Sequence, residues 1–405
     1  MDDDVEIHDI DPLALEITNE INEELRCKTG TWEHEDLAQV RYKVLRGHRD
    51  GIVSCQFCIN DTHILTASSD LTCSLWNLHT GDREHKYEDH DTLITECRMS
   101  PDDSKFITSS WDKKLRVWDV ETGQLVWTGL HGGIVTCCQY SHDGQFIATG
   151  SDLDGTIRLW SAKDGQLIKK VKEHHKSTVT SIEFSPNDRR ICTTSMDKTT
   201  KLWDTEAQTV VVQLEGHINV ISCCCFTDDE RRLCTGSWDK QLQVWDVSTG
   251  MFRSQGPITF SKGHEGSISA CKFSPDGTML VSGSYDQTVV LWDAENCGPK
   301  LTLKGHSDWV TDVDFSRDGN WILSSSKDKT VRLWNIEHSD TIPSVMENKR
   351  SMGLRIIKCT ECSKPFSIAQ LDITSDNMLC VFCRLAAERP LPTFDAGLYN
   401  DAEPQ

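Results

Sequence analysis

Short segments of the chain follow strand patterning. Thr288 to Trp292 and Val310 to Phe315 alternate apolar with polar residues or run apolar and β-branched, as half-buried and fully buried strands do. Steps such as Ser-Pro-Asp-Gly at 274–277 and Thr-Gly at 122–123 lie between such runs and supply turns. The pattern is periodic over a longer range as well. Trp followed by Asp, Asn or Ser recurs as Trp76, Trp118, Trp160, Trp203, Trp245, Trp292 and Trp334, in steps of 42, 42, 43, 42, 47 and 42 residues. Self-similarity at a fixed period of this length is the mark of a repeat architecture.

Other residues keep step with these Trp residues. A His stands 28 residues upstream (29 in the third copy), as His48, His90, His131, His175, His217, His264 and His306. Four of them follow Gly, whereas Asp89, Leu130 and His174 take that place in the second, third and fourth copies. An Asp lies six residues before every Trp (Asp70, Asp112, Asp154, Asp197, Asp239, Asp286 and Asp328). A Ser or Thr precedes each Asp: Thr66, Thr108, Thr149, Thr193, Thr235, Ser282 and Ser324.

The Gly-His and Trp-Asp pairs at this period resemble the WD40 repeat family over residues 41–334, which is 294 of 405 residues. The resemblance implies an all-β chain, a seven-bladed propeller of four-stranded antiparallel blades. The strand-like stretch Arg41 to Leu45 precedes the first His, and no fourth strand follows Trp334. Arg41 to Leu45 is therefore expected to complete the last blade and leave no open edge. In this family the repeated His, Ser/Thr, Asp and Trp form a buried hydrogen-bonded tetrad in each blade. Such a network stabilises only when all its members are paired. These residues are accordingly read as structural in all seven blades, and no catalytic residue is assigned.

The cysteines divide into two groups. Seven residues after each marker His stand Cys55, Cys97, Cys138, Ile182, Cys224, Cys271 and Val313, so Cys interchanges with aliphatics and reads as core packing. Cys223, Cys224 and Cys225 are adjacent in one strand, where Cys224 must face away from its neighbours. In the C-terminal stretch, Cys359-x2-Cys362 and Cys380-x2-Cys383 are 17 residues apart, the spacing of a closed four-thiolate zinc site. A structural Zn²⁺ is expected there, supplying folding energy that a segment without its own core lacks. The resulting organisation is an acidic arm over 1–40 with a helix expected at 12–26 (Leu13, Ile17, Ile21 and Leu25 recur every fourth residue), a propeller over 41–335, a linker over 336–354, a zinc-ribbon-like module over 355–388 and a tail over 389–405.

Two rows of positions converge on the face that carries the blade-entry loops. One is the residue before each tetrad Asp, which includes Trp111, Leu153, Met196, Trp238 and Tyr285; the other lies three after each His and includes Leu93 and Trp309. Exposed turns are ordinarily polar, so this concentration of large side chains reads as a docking surface for a protein or peptide.

The formal net charge of -21 disfavours nucleic acid and anionic membrane surfaces as partners. Residues 1–40 contribute 13 acidic against 2 basic residues, about half of that total. Eighteen cysteines without a recognisable signal peptide suggest reduced thiols in cytoplasm or nucleus. The expected function is a non-catalytic interaction scaffold, working as a monomer or as a subunit of a hetero-complex. Two rivals remain at this point. Asp119 to Trp127 reads Asp-x2-Thr-Gly-x3-Trp, which resembles the blade motif of quinone-dependent (PQQ) dehydrogenases, and the order of propeller and four-Cys tail is similar to an animal family described by PQQ and WD repeats. The second rival is a substrate receptor of a cullin-type ubiquitin ligase. Those receptors often carry Arg two residues after the Asp of the Trp-Asp pair, where this chain has His79, Glu121, Lys163, Glu206, Ser248, Glu295 and Glu337.

Overall fold

A computed structural model describes residues 40–153, 155–172, 174–248, 256–337 and 339, together with the backbone of 33–35, 356–358 and 365–367. The helix expected at 12–26, the linker beyond Ser339, the tail and all four zinc-ligand cysteines lie outside the described residues. The chain divides into two units, Met1–His338 and Ser339–Gln405.

The first unit is a closed ring of seven antiparallel sheets. Blade one, for example, runs from Ile52–Cys58 nearest the axis through His63–Ser68 and Thr72–Asn77 to Arg83–Glu88 at the rim. Burial explains the sequence pattern. The second strand of each blade is covered on both faces by neighbouring blades, so Lys105–Ser110 and Arg190–Ser195 are buried at all but their first residue, as both-face burial requires. The outermost strands are half solvated, and Arg83–Glu88 buries only Tyr87. A hydroxyl near the start of the innermost strand often bridges to the next blade: Thr95 donates to the Val135 carbonyl, Thr136 to Val179, Thr180 to Ile221 and Ser222 to Ile268.

Closure follows the expected route. Tyr42–Arg46 pairs antiparallel with Thr330–Asn335, and Thr311 of blade seven donates to the Ile52 carbonyl of blade one at 2.9 Å. A further strand, Glu33–Glu35, pairs with Tyr42–Val44 and makes blade seven five-stranded. In the second unit the described backbone is a hairpin, Ile356–Lys358 against Pro365–Ser367.

The tetrad differs from its expected uniformity. In blade five His217 Nδ1 lies 2.8 Å from Asp239, His217 Nε2 lies 2.9 Å from the Thr235 hydroxyl, and the Trp245 indole donates to that hydroxyl at 3.1 Å. The carboxylate fixes the proton on Nδ1, so the hydroxyl donates to Nε2 and accepts from the indole. Blades one, two, six and seven repeat this arrangement. Blade four departs from it, because His174 stands where Gly usually precedes the marker His and its Nε2 reaches the Thr193 hydroxyl at 2.8 Å, alongside His175 at 2.9 Å. His174 thus supplies the N–H that the indole supplies elsewhere. Gly fits at this place because a Cβ on Gly47 would come within 2.6 Å of the Trp76 ring. In blade three the Asp154 position is outside the described residues, and His131 and Trp160 meet Thr149 as expected.

Candidate functional site

Among the described residues, each tetrad Asp also builds the turn that presents the docking residues. Asp239 Oδ1 accepts the Gln241 N–H, and Lys240 between them adopts a left-handed φ of 71°. Leu71, Lys113, Lys198, Gln287 and Lys329 hold the corresponding conformation after their own Asp. The carboxylate therefore braces a strained turn from one side while holding the His from the other.

The two rim rows are joined by the backbone. Trp111 N–H donates to the Leu93 carbonyl, Trp238 to Val220, Tyr285 to Ser267 and Met196 to Thr178, all at 2.9 to 3.0 Å. In blade three the extra residue shifts this bond to Asp152 and Ile134. Leu93, Trp111, Leu153, Met196, Trp238 and Trp309 are exposed, and Trp111 and Trp309 each leave 51% of their surface free.

These side chains do not all meet. Met196, Trp238, Tyr285 and Trp309 line one cavity of about 390 Å³ at the mouth of the axial channel, with Lys327 on its wall. Trp111, Leu153 and Leu93 lie on the same face but outside that lining. The Tyr285 and Trp309 rings are stacked, and the Trp238 carbonyl accepts a hydrogen bond from Ser267. Blades four to seven therefore carry a concave aromatic wall, while blades two and three add isolated apolar side chains.

Beneath the mouth the channel is charged. Arg98 bridges Glu96 at 2.6 Å and Asp312 at 3.1 Å, and Lys272 pairs with Glu183 at 3.0 Å. Asp314 accepts the Phe57 N–H at 2.9 Å. Burial pushes the Asp314 carboxyl up to about 6, against the opposing pull of Lys272. Burial likewise raises Glu96 and Glu183. Four carboxylates against two cations make this floor acidic.

Two features escaped the sequence reading. Leu125-Val126, Leu167-Ile168 and Val210-Val211 form exposed apolar pairs on the outer strands of three consecutive blades. The signal was the same doublet at the same place in three repeats. The second feature is a thiol cluster of Cys225, Cys234 and Cys271 between blades five and six. The quinone-like motif has a structural explanation. Asp119 accepts the Thr122 N–H in the turn that Gly123 completes at φ 70°, and the Trp127 indole donates to the Ala162 carbonyl and packs against Trp160.

Ring, tetrads and face together define a WD-repeat β-propeller, and the chain belongs to that family. The family model for the IFT122 first beta-propeller matches residues 28–252, and the model for the WD domain, G-beta repeat, matches 256–293 and 297–335. The chain is 50% identical to human WD repeat-containing protein 88 over 359 residues, covering 87% of this chain and 76% of that protein. It is also 33% identical over 186 residues to a guanine nucleotide-binding protein subunit beta of Arabidopsis thaliana, covering 42% of this chain and 49% of that subunit. The matches share the WD repeat, and the finer likeness to proteins described by PQQ repeats gains no support from them. Members of this family are generally non-enzymatic, and the chain is a protein-interaction scaffold.

Proposed function

We propose that the scaffold captures a protein or peptide segment at the channel mouth, on the wall formed by Met196, Trp238, Tyr285 and Trp309. The observation that carries this reading is the cavity of about 390 Å³ that these four residues share. Aromatic side chains in a concave site contribute most of the binding energy of protein interfaces. The acidic floor favours a segment that brings a Lys or Arg side chain toward Glu96, Asp312 and Asp314. The same charge, with a net of -21 for the whole chain, is the argument against nucleic acid and anionic membrane as partners. The match to a G-protein β subunit supports a place within a hetero-complex. Crosslinking from a photoreactive amino acid at position 111 or 309, followed by mass spectrometry, tests the site. Partners trapped from 309 and not from 111 support it, and the reverse overturns it.

The C-terminal unit is proposed to hold a structural Zn²⁺ on Cys359, Cys362, Cys380 and Cys383. Its support is the hairpin of Ile356–Lys358 and Pro365–Ser367, which brackets the first Cys-x2-Cys pair within its connection. Two thiolates from one Cys-x2-Cys pair are half of a closed tetrahedral site. Zinc content of the intact protein, compared with a Cys359→Ser, Cys362→Ser variant, measures it.

A further inference from the structure

Cys223 and Cys225 share one face of the innermost strand of blade five, Ile221–Phe226, and Cys234 sits directly opposite Cys225 on Arg232–Ser237. Cys271 reaches the same place from blade six, on Ile268–Phe273. The sulfur atoms of Cys225, Cys234 and Cys271 all lie within 4.8 Å of one another. Cys225 Sγ is 3.7 Å from Cys271 Sγ, and Cys223 Sγ is 3.3 Å from it. All four residues are buried. Cys224, on the opposite face, meets Ser181 of blade four instead.

The repeat supplies an internal control. At the six other junctions the equivalent four positions hold at most two cysteines; between blades six and seven they are Ala270, Lys272, Val281 and Val313. Core packing accounts for Cys234 and Cys271, whose equivalents include aliphatics. It does not account for Cys225, because its equivalents are Gln56, Arg98, Gln139, Glu183, Lys272 and Asp314, all polar. A small hydrophobe has no reason to appear in a polar row, whereas a metal ligand does.

We propose that Cys223, Cys225, Cys234 and Cys271 bind a thiophilic closed-shell cation, Zn²⁺ or Cu⁺, that ties blade five to blade six. Four thiolates at about 2.3 Å from a tetrahedral ion stand about 3.8 Å apart, so the sulfurs of Cys225, Cys234 and Cys271, all within 4.8 Å of one another, need to move by at most about one ångström, and Cys223, 3.3 Å from Cys271, is the fourth donor at hand. Soft thiolate donors select these ions over Mg²⁺ or Ca²⁺. Lys272 acts on Cys225 with its positive charge and offsets part of the negative charge of the site. The ion would enter as the ring closes, since binding of this kind is coupled to folding.

The test uses the full chain with Cys359→Ser, Cys362→Ser, Cys380→Ser and Cys383→Ser, so that metal in the C-terminal unit cannot be counted. The protein is produced in medium supplemented with zinc or with copper salts, purified under thiol reductant and analysed by elemental mass spectrometry. One equivalent of zinc or copper per chain is expected, and which of the two is retained identifies the ion. Cys225→Gln, which installs the residue of blades one and three, is expected to lower that content about tenfold with the circular dichroism spectrum unchanged. Should that variant fail to fold, Cys271→Val, as in blade seven, gives the same readout. Absence of both metals from the folded protein, or a Cys223–Cys271 disulfide under reducing purification, overturns the proposal. Neither result bears on zinc in the C-terminal unit, which is read from the difference between the intact chain and the four-Ser variant.

Discussion

Tyr285 of blade six and Trp309 of blade seven stack across the junction of their blades, with ring centroids 4.8 Å apart and planes inclined by 26°. Neither ring is part of a tetrad, and Trp309 leaves half of its surface free, so the pair is a preformed apolar platform beside an acidic channel. Trp309→Ser removes the outer ring of the platform and Trp238→Ser removes its neighbour on the same wall. Each is expected to weaken partner binding by about 2 kcal/mol or more, a 30-fold loss. Trp111→Ser, outside the cavity, is expected to change affinity by less than about threefold. Titration calorimetry with a crosslinked partner segment measures all three, and equal losses at 111 and 309 would move the site to the whole rim.

Thr235 is the node of its blade, since one fully buried hydroxyl serves both His217 and Trp245. Thr235→Val leaves an imidazole nitrogen and an indole N–H without a partner, and each orphan costs about 1 to 3 kcal/mol. The variant should lose about 3 kcal/mol in urea unfolding, whereas Thr235→Ser, which keeps the hydroxyl found at Ser282 and Ser324, should lose about 1 kcal/mol or less.

The ring was legible because its information is periodic: a Trp every 42 or so residues with His, Ser/Thr and Asp at constant offsets repeats the same local hydrogen-bond requirement seven times. The closing strand was legible because Arg41 to Leu45 lacked a sheet of its own. Convergence between repeats was not. That Trp238 and Trp309 line one cavity while Trp111 stands apart depends on which blades adjoin around the axis, and Cys225 meets Cys271 across 46 residues. The substitution of His174 for Gly was visible, but its consequence, a second imidazole on Thr193, needed the distance.

Val44 sits in the closing strand, fully buried and paired with Arg332 of blade seven. A Lys there places a second buried positive charge directly opposite the Arg332 guanidinium and weakens the strand pairing that closes the ring. Val44→Lys is expected to destabilise the propeller by more than about 3 kcal/mol. Limited proteolysis should then cut first in blade seven. Val44→Ile, which keeps the burial, should leave the cleavage pattern unchanged.

The channel floor sets a pH dependence opposite to that of the tetrads. Asp314 is raised by burial to about 6 from 3.8, so the folded protein holds its proton more tightly than the unfolded chain. The stability this contributes is complete below about pH 4 and is lost as pH rises through 6. Asp314→Asn removes the charge and keeps an oxygen to accept the Phe57 N–H. It should therefore stabilise the ring above pH 6, by at most about 3 kcal/mol and by less where channel water reaches the carboxylate, and do nothing at pH 4. The tetrad carboxylates Asp70, Asp286 and Asp328 are partly desolvated, which alone would raise them, but their His and Thr hydrogen bonds hold them well below the usual range. Their contribution is present above about pH 4 and falls away as the solution is acidified further. Thermal melts of both proteins at pH 4, 6 and 8 check the sign: a gap between wild type and Asp314→Asn that opens with rising pH is expected, and a pH-independent gap would show that Asp314 stays ionised throughout.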